Sequence, residues 1–584
     1  MWDRRRGSAS TGAPWRRCAP IAVLLWVAAG ANTQAQTDGA NPIGSSRERP
    51  GSGGLQLPGV EPGSPPPAGL GLPASPPAAV APAFANGRRF VLRKVDVVSN
   101  TVIDDASIRT VVAPYIGKAV TTADLEEIRR RFTRLYIDRG YINSGAVLPD
   151  QNVTNGVVTY RFVEGRITDI NVAGTEHFKP EYFSSRLGAA ANAPFNIGSL
   201  EDEQQILLQD PLIRRLNIEL IPGLVPGEAR LNADVLEASR YSLSAQVADD
   251  QSPTVGEIRG QLQGSFANIL GVGDLLTAQY GRSGALNDGF IGYSVPIASD
   301  DTRLSLRYDK NGTVVVTPAL VPLNITSNYS SIGVGLSRPF YRTAEQNLTL
   351  GVSLERRQEQ SFLLGMPFDF VTGSENGNTN VTALRLSQSW LDRNSEHALA
   401  MRSTFSFGLE ALGATVTDTP PTGRFFTWLG QAQYVRRIWN DVEGLVRADL
   451  QLSDRPLFQI EQFALGGIDT VRGYREYLTV TDDAALISAE LHIPVGKLRV
   501  PYLSRTDDAG TVQIVPFYDF GQGWNRDRPT PFPANISGVG AGLRWLIGSG
   551  ITAEFYYAKA LRNVDVGNSL EDRGIYFRIT TNFF

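Results

Sequence analysis

Hydrophobic and polar residues alternate with a period of two over most of the chain after residue 240. In the segment 348–355, apolar side chains occupy every second position, and Thr, Gly, Ser and Glu lie between them. Residues 303–309 and 331–337 follow the same pattern. Such alternation predicts β-strands with one apolar and one polar face. It is typical of an outer-membrane β-barrel, whose strands turn apolar residues to lipid and polar residues to the lumen.

A soluble β-sandwich is the alternative, because its strands alternate in the same way. The 344 residues from 241 to 584 would give each of 16 barrel strands roughly 21 residues with its turn, which suits about ten membrane residues per strand. A single soluble sandwich of that length would be unusual. We therefore predict a transmembrane barrel of 16 antiparallel strands over residues 240–584.

The segment before the barrel begins with a different pattern, that of a small α+β unit. Strands are expected at residues 90–98 and 157–163, and an amphipathic helix at 121–139, behind a capping box made by Thr121 and Asp124. The apolar positions of that helix recur at intervals of three or four residues: Leu125, Ile128, Phe132, Leu135 and Tyr136.

A second unit of the same kind follows. A strand is expected at residues 167–172, and a short helix opened by Ser199 and Asp202 that stops before Pro211. Two alternating strands then flank a turn rich in proline and glycine; their apolar positions are Ile218, Leu220, Leu231, Ala233 and Val235.

The N-terminus has the pattern of a secretory signal peptide. An uncharged apolar run at residues 21–31 follows five arginines, and small residues come after it. The run is too short to span a bilayer and has the length of a signal-peptide core. A buried core helix is the alternative, which the arginines disfavour. We predict a signal peptide at residues 1–35, which would remove Cys18, the single cysteine, so that the exported chain has no disulfide.

Residues 36–88 are predicted to be a linker. Within residues 41–83, eleven prolines and eight glycines occur among 43 positions. Such a segment cannot bury enough apolar surface to offset its ordering entropy, so an extended tether is expected. The alternative is a proline-rich recognition peptide with a specific binding role.

Composition excludes several functional classes. Lys and Arg number 55 against 59 Asp and Glu, for a net charge of −4, whereas a nucleic-acid partner would call for a basic excess. Mean hydropathy is −0.14, too polar for a bundle of membrane helices. We expect neither nucleic-acid binding nor a polytopic helical membrane protein.

The motifs of common enzymes are missing from the sequence. It has neither a nucleophile elbow nor a phosphate-binding loop, and the three histidines, His177, His397 and His492, are scattered. The alternate glycines of residues 538–542 indicate small side chains on one strand face, not a dinucleotide loop. We expect no catalytic residue, no metal and no cofactor. A lipid-hydrolysing barrel using His397 or His492 is the alternative.

Two short motifs combine a charge with glycines and aromatic residues. In the first, residues 463–467 (Phe-Ala-Leu-Gly-Gly) precede Val471, Arg472, Gly473 and Tyr474. The second lies further along the chain and contains Phe517, Asp519 and Gly521. If both charges were buried they would need each other, since an unpaired buried charge is costly. The alternative is that both charges lie on solvated surfaces. Composition alone does not decide between a buried pair and two solvated charges.

In this combination and order, the two motifs resemble those of the two-partner secretion transporters, the hemolysin secretion/activation proteins of the ShlB/FhaC/HecB type. These belong to the superfamily of outer-membrane barrels with POTRA (polypeptide-transport-associated) domains. The likeness runs from about residue 90 to the end, and residues 140–151 and 222–228 resemble loops of the two POTRA domains.

The resemblance implies two periplasmic POTRA domains, at residues 89–165 and 166–239, before the barrel. They would capture an unfolded exoprotein, an adhesin or hemolysin, by adding its extended backbone to a sheet edge. The loop carrying the first motif would fold into the lumen, where Arg472 would pair with Asp519 and hold the loop in a conduction-competent position. The protein would be a conduit, not a catalyst, driven by folding of the substrate outside the cell.

The resemblance also implies the surroundings of the protein: the bacterial outer membrane and its lipids, the barrel assembly machinery for insertion, and a secreted exoprotein as partner. Residues 41–83 are too rich in proline and glycine for the N-terminal plug helix of some family members. A barrel assembly factor, which usually has more POTRA domains, and a diffusion porin with periplasmic domains are the alternative functions.

Deleting residues 41–83 should hardly change export, because a tether without specific contacts can be shortened. The measurement is the amount of exoprotein in the medium at equal barrel levels. A severe loss of export would contradict the tether and indicate a plug or docking element in this segment.

Overall fold

The structure, a computed structural model, describes residues 89–439, 441–504, 509–548, 550–564 and 567–583. The predicted signal peptide (1–35) and linker (36–88) lie outside the described residues, as does the segment for which a plug helix was not expected. The described chain comprises two α+β units followed by a closed barrel.

The first unit packs two helices on a three-stranded sheet. Its elements are β1 (Phe90–Val91), β2 (Lys94–Val98), α1 (Asp105–Val112), β3 (Ala119–Val120), α2 (Thr122–Ile137), β4 (Gly145–Val147) and β5 (Val157–Val163). Strand β5 lies between β2, its parallel neighbour, and β4. The predicted capping box is present at the start of α2, where Thr121 and Asp124 bond each other's backbone. The apolar face of α2, with Ile128 and Phe132 fully buried, forms the core of the unit.

The second unit repeats this arrangement. Its elements are β6 (Arg166–Ala173), α3 (Pro180–Ala190), α4 (Ile197–Leu208), β7 (Ile213–Pro222) and β8 (Glu228–Glu237). Strand β8 is central, parallel to β6 and antiparallel to β7. Phe183, Leu187 and Leu200 from the helices pack on Leu231 of β8.

The sequence-based description of the helices needs one correction and two additions. Helix α4 begins earlier than expected, because Asn196 and not Ser199 is its N-cap and accepts from the backbone N–H of Gly198. Ser199 and Asp202 lie inside the first turns. Helices α1 and α3 were not predicted. Both are short, and packing stabilises them more than their own sequence does, α1 against α2 and α3 against β6 and α4.

The barrel has sixteen antiparallel strands, as predicted. They are β9 (Tyr241–Asp249), β10 (Ile258–Ala267), β11 (Leu275–Arg282), β12 (Leu286–Pro296), β13 (Arg303–Val314), β14 (Thr326–Arg342), β15 (Gln346–Leu363), β17 (Asn378–Arg393), β18 (His397–Leu409), β19 (Phe426–Trp439), β20 (Val442–Ser453), β23 (Asp483–Lys497), β24 (Thr511–Trp524), β25 (Asn535–Gly548), β26 (Ile551–Ala560) and β27 (Ile575–Asn582). A two-residue strand, β16 (Met366–Pro367), extends the β15 hairpin. Strands β27 and β9 pair and close the barrel, so that no sheet edge faces lipid.

Alternation places the apolar side chains on the outside of the barrel. On β14, Ile332, Val334 and Leu336 are 59%, 42% and 41% exposed, whereas Ser327 and Ser331 of the opposite parity are buried. An apolar outer band with polar residues inside is the pattern of a membrane-spanning barrel. No helix in the described part of the chain is long and apolar enough to cross a membrane.

One long connection folds back into the lumen instead of extending away from the barrel. It runs from residue 454 to 482, between β20 and β23, and contains the hairpin of β21 (Phe463–Leu465) and β22 (Thr479–Thr481). We call it the lumenal loop. We call the barrel end next to the α+β units the near end and the opposite one the far end. Because β20 begins at the near end, the lumenal loop enters from the far end.

An ion pair and a backbone hydrogen bond join the second α+β unit to turns at the near end of the barrel. Arg186 of α3 is 2.6 Å from Asp301, in the turn between β12 and β13, and Asp301 also pairs with Arg342 at the end of β14. The backbone N–H of Lys179 donates to the carbonyl of Gly271, 2.9 Å away. Because the ion pair and backbone bond join different barrel turns, this unit has a fixed attachment to the barrel.

One acidic side chain in this junction has an unusual pKa. Burial raises the pKa of Glu203 on α4 to about 7, and Asp301 adds to the rise, while Arg342 and Arg186 oppose it. The pKa in the folded state therefore lies above the ordinary value of about 4.3 for the unfolded chain. A carboxyl with a raised pKa favours folding most at low pH, and that contribution is lost as the pH rises through the folded-state pKa.

We therefore expect the amides of α4 to be most protected near pH 4.5 and to lose protection as the pH rises through about 7. Hydrogen exchange, corrected for its intrinsic pH dependence, measures this. Glu203→Gln should flatten the profile because it removes the titrating group. Asp202→Asn, at an exposed position of the same helix, is the matched control and should leave the profile unchanged. An unchanged profile in Glu203→Gln would contradict this assignment.

Candidate site in the barrel lumen

The tip of the lumenal loop carries the first motif. Strands β21 and β22 form its stem, with Phe463 opposite Thr481 and Leu465 opposite Thr479. The stem and tip are packed against the barrel interior, and Phe463, Leu465, Val471 and Tyr474 are buried with Ala484 and Leu486 of β23. The apolar residues of the motif therefore fix the loop to the wall and place Arg472 in the turn at the tip of the loop.

Arg472 forms a bidentate ion pair with Asp519 of β24. Its Nε lies 2.7 Å from Oδ2 of Asp519 and its Nη2 lies 2.8 Å from Oδ1. The backbone N–H of Arg472 donates to the same Oδ2 at 3.1 Å, and the hydroxyl of Ser488 donates to Oδ1 at 2.6 Å. Asp519 is 0% exposed and Arg472 is 3% exposed. Bidentate geometry fixes the orientation of the guanidinium as well as its position.

Two further groups surround the guanidinium. Its Nη1 is 2.7 Å from a carboxylate oxygen of Glu490 on β23, whose other oxygen lies 3.0 Å from Nε2 of His492. The guanidinium carbon stands 3.5 Å from the centre of the Phe517 ring, a cation–π contact. Arg472 therefore contacts two carboxylates and an aromatic face, all contributed by the barrel wall.

Gly473 and Tyr474 attach the next two residues of the loop to other strands. The backbone N–H of Gly473 donates to the hydroxyl of Tyr576 on β27, 2.8 Å away, and that hydroxyl donates to the carbonyl of Tyr474. The hydroxyl of Tyr474 donates to the carbonyl of Ser537 at 2.9 Å and accepts from the N–H of Arg562. The motif thus contacts the wall from β23 to β27.

Glycines on the wall make room for the loop. A Cβ at Gly538 of β25 would overlap the carbonyl oxygen of Arg472, and one at Gly521 of β24 would lie 2.9 Å from the side chains of Leu465 and Val471. The alternate glycines of residues 538–542 were expected to be small residues on one strand face. The structure places the loop against the first of them. Gly521 of the second motif has the same role.

A second cluster of charges joins the start of the lumenal loop to a different part of the wall. Glu461 accepts from Nη2 of Arg385 on β17 at 2.8 Å and lies 3.3 Å from Nη1 of Arg357 on β15. Glu355, also on β15, pairs with both arginines and with Arg307. Glu461 and Glu355 are each 2% exposed. The start of the loop is therefore attached to the wall separately from its tip.

All the motif residues expected to matter meet in one place, and sequence reasoning missed several of their partners. Glu490 and Ser488 share the inward parity of β23 and contact Arg472, but nothing in the sequence distinguishes them from other polar lumen positions. The same holds for Arg385. Glu461 is different, because its position two residues before the first motif could have marked it as a candidate.

The three histidines occupy separate places, each near a carboxylate: His177 by Glu237, His397 by Asp392, and His492 by Glu490. Among the described residues, no group of three or more His, Cys, Asp or Glu is arranged to hold a metal ion.

Comparison with known proteins gives the same picture for most of the chain. Residues 227–545 match the family described as haemolysin secretion/activation protein ShlB/FhaC/HecB, and residues 90–165 match the POTRA domain of the ShlB type. The outer membrane transporter CdiB of Dickeya dadantii is 24% identical over 478 residues, covering 79% of this chain and 82% of that protein. The heme/hemopexin transporter protein HuxB of Haemophilus influenzae is 21% identical over 465 residues, covering 75% and 77%.

Solved structures share the fold. CdiB from Escherichia coli matches with a TM-score of 0.65 at 21% identity, covering 86% of this chain and 92% of that one. BamA from Haemophilus ducreyi lacking POTRA domains 1–3 matches with a TM-score of 0.50 at 12% identity, covering 85% and 100%. Because the family match spans more than half of the sequence, the chain belongs to the haemolysin secretion/activation proteins of the ShlB/FhaC/HecB type and is a two-partner secretion transporter of the bacterial outer membrane, with its POTRA domains in the periplasm.

Proposed function

We propose that the POTRA domains capture an unfolded exoprotein and that the barrel conducts it outward while Arg472 and Asp519 latch the lumenal loop in a conduction-competent position. The buried bidentate pair between loop and wall carries this proposal. The protein acts as a conduit and needs no cofactor or enzymatic step. Transport is driven by folding of the exoprotein outside the cell.

The energetics of burial support a latch at this pair. Removing one partner of a buried ion pair costs about 3–5 kcal/mol, because the other charge stays buried without compensation. If the loop left the wall, Asp519 and Glu490 would lose Arg472 together. Displacement of the loop would break both contacts of Arg472 at once, so the pair favours the position on the wall, and the loop keeps that position during conduction.

Capture by the POTRA domains is proposed to use a sheet edge. The second sheet has the order β6-β8-β7, so that β6 and β7 are its outer strands, with eight and ten residues. An extended peptide can add to such an edge through backbone hydrogen bonds, which read little side-chain sequence. This suits an exoprotein that arrives unfolded and presents many different segments in turn.

The proposed partner is one large secreted polypeptide, adhesin-like or hemolysin-like. The relatives give no single answer, since one is named a heme/hemopexin transporter and another an outer membrane transporter. We further propose contacts with outer-membrane lipids around the apolar band, insertion by the barrel assembly machinery, and no nucleic-acid partner.

Arg472→Ala should leave the barrel in the outer membrane and lower secretion at least about tenfold, because it leaves Asp519 buried without its cation. The measurement compares proteins in the medium and outer membrane from wild-type, deletion and Arg472→Ala strains. One large polypeptide should be missing from the medium of the deletion strain, while other barrels keep their levels.

The control for this experiment is Arg402→Ala, which removes an arginine that bonds Ser389 on the neighbouring strand and should secrete normally. Normal export by Arg472→Ala at normal barrel levels would disprove the latch and leave the transporter function intact. An unchanged medium with depleted outer-membrane barrels in the deletion strain would instead indicate a barrel assembly factor.

Glu461→Gln should loosen the start of the lumenal loop, because three arginines would then share the single carboxylate of Glu355. The chain has no cysteine after Cys18, so Ala464→Cys provides one reporter thiol on β21, where the residue is buried. We expect this thiol to react at least about tenfold faster in the Glu461→Gln background, the factor that a change of about 1.4 kcal/mol produces.

The matched control is Glu410→Gln, which breaks the exposed pair of Glu410 and Arg424 and should leave the reporter rate unchanged. Equal rates in the wild-type and Glu461→Gln backgrounds would mean that the second charge cluster does not hold the loop.

A further inference from the structure

The outer surface of the barrel contains a cavity of about 400 Å³, within the range of roughly 300–1,000 Å³ found for small-molecule sites. Strands β13, β14 and β15 form its floor, and the connection after β18 covers one side. Its lining residues are Leu306, Ile332, Gly333, Val334, Leu354, Arg356 and Leu412. Six of these seven residues are apolar or glycine.

The cavity faces lipid and not the lumen. Ile332 pairs with Tyr308 of β13 and with Arg356 of β15, and Val334 pairs with Leu306 and Leu354. These positions share the parity of the exposed apolar band on β14. In a membrane, a cavity with such walls is filled by hydrocarbon, because water would find no hydrogen-bond partners there.

Arg356 marks the edge of the apolar band. On β15, Leu354 precedes it on the outer face and Gln358 follows it, and on β14 the outer residue beyond Ile332 is Ser330. The Nε of Arg356 donates to the carbonyl of Leu412 at 2.8 Å, and its Nη1 donates to Gln358 at 3.3 Å. The first bond holds the covering connection over the cavity. An arginine at this depth belongs to the headgroup region, since a charge within hydrocarbon is costly.

A second cation lies near Arg356 on the same outer face. Lys310 of β13 pairs with Ser330, which in turn pairs with Gln358. Lys310 is therefore level with Gln358, two strands or about 10 Å sideways from Arg356 and two residues or roughly 7 Å along the barrel from it. The long side chains of both residues can reach one group between them. The cavity thus has apolar walls with Arg356 at its edge, and a second cation, Lys310, lies one outward-facing position beyond that edge.

The position along the strand identifies the membrane leaflet. Strand β15 starts at Gln346, at the near end, and ends at Leu363, at the far end. Arg356 lies beyond its middle, and the apolar band lies between Arg356 and the near end. Because the POTRA domains at the near end are periplasmic, Arg356 lies at the outer leaflet.

We propose that this cavity binds a phosphorylated lipid of the outer leaflet, with an acyl chain between Val334, Leu354 and Leu412 and a phosphate held by Arg356 and Lys310. Guanidinium groups bind phosphate through paired, charge-assisted hydrogen bonds, and the apolar walls match the chain. The occupant is the lipid and not free phosphate, since the apolar walls below the rim offer a free anion no hydrogen-bond donor. This site is independent of the latch in the lumen.

The test uses the purified full chain in detergent and, as probe, lipid A, an acylated disaccharide that carries phosphates. Its binding is compared with that of the same lipid after removal of its phosphates, by native mass spectrometry. The phosphorylated form should bind at least about tenfold more tightly, as expected from a hydrogen bond to a charged group. Equal binding of the two lipids would overturn the proposal, as would full competition by inorganic phosphate.

Variants separate the cavity from general surface charge. Arg356→Gln should lose most of the preference for phosphate, Arg356→Lys should keep part of it, and Val334→Trp should weaken binding of both lipids by filling the cavity. The matched control is Arg338→Gln, an arginine of β14 that pairs with Asp300 near the other end of the barrel; it should bind as wild type does. An unchanged preference in Arg356→Gln, or an equal loss in Arg338→Gln, would overturn the proposal. Heat-modifiable electrophoretic mobility shows that each variant is folded.

Discussion

The organisation of the lumen depends on one buried ion pair, between Arg472 at the tip of the lumenal loop and Asp519 on the wall. Without Arg472, Asp519 would be an uncompensated buried charge, which costs several kcal/mol, whereas Arg472 has Glu490 as a second carboxylate partner. The neighbouring residues serve the same contact: Ser488 completes the hydrogen bonds of the carboxylate, and Phe517 supplies an aromatic face to the cation. A loop of almost thirty residues thereby acquires one position within a wide barrel.

The pair works because the wall has been shaped to receive the loop. Gly538 lets the backbone of Arg472 approach to a distance that any other residue would prevent, and Gly521 leaves room for the side chains of Leu465 and Val471. Closure of the barrel through β27 and β9 brings Tyr576 to the backbone of Gly473. The loop is attached again at Glu461, on the β15 and β17 side. Attachments at both the start and the tip of the loop limit its rotation as well as its displacement, which one attachment would not do.

The outer and inner faces of the same strand have separate tasks. On β15, Glu355 faces the lumen and belongs to the charge cluster around Glu461, whereas Arg356, the next residue, faces the membrane. A change of register by one residue would exchange these faces and place an arginine–glutamate cluster in lipid. The strict alternation that identifies the barrel in the sequence is therefore also what keeps the secretion path and the lipid surface apart.

The sequence alone determined three features. Alternation of apolar and polar residues predicted the barrel, and the capping box predicted the helix that begins after Thr121. The order of the two motifs gave the family resemblance, which implied that Arg472 pairs with Asp519. These signals are local, because the side-chain period, the capping box and the spacing of a motif all lie within short segments. Only the tertiary structure decided that Asn196 caps α4, that Glu490 contacts Arg472, and that Glu461 meets Arg385. Those contacts join residues on separate strands and loops, and which inward position faces which depends on strand register and barrel closure. Residues that look like ordinary polar positions in the sequence become partners of a charge because the closed barrel buries them beside it.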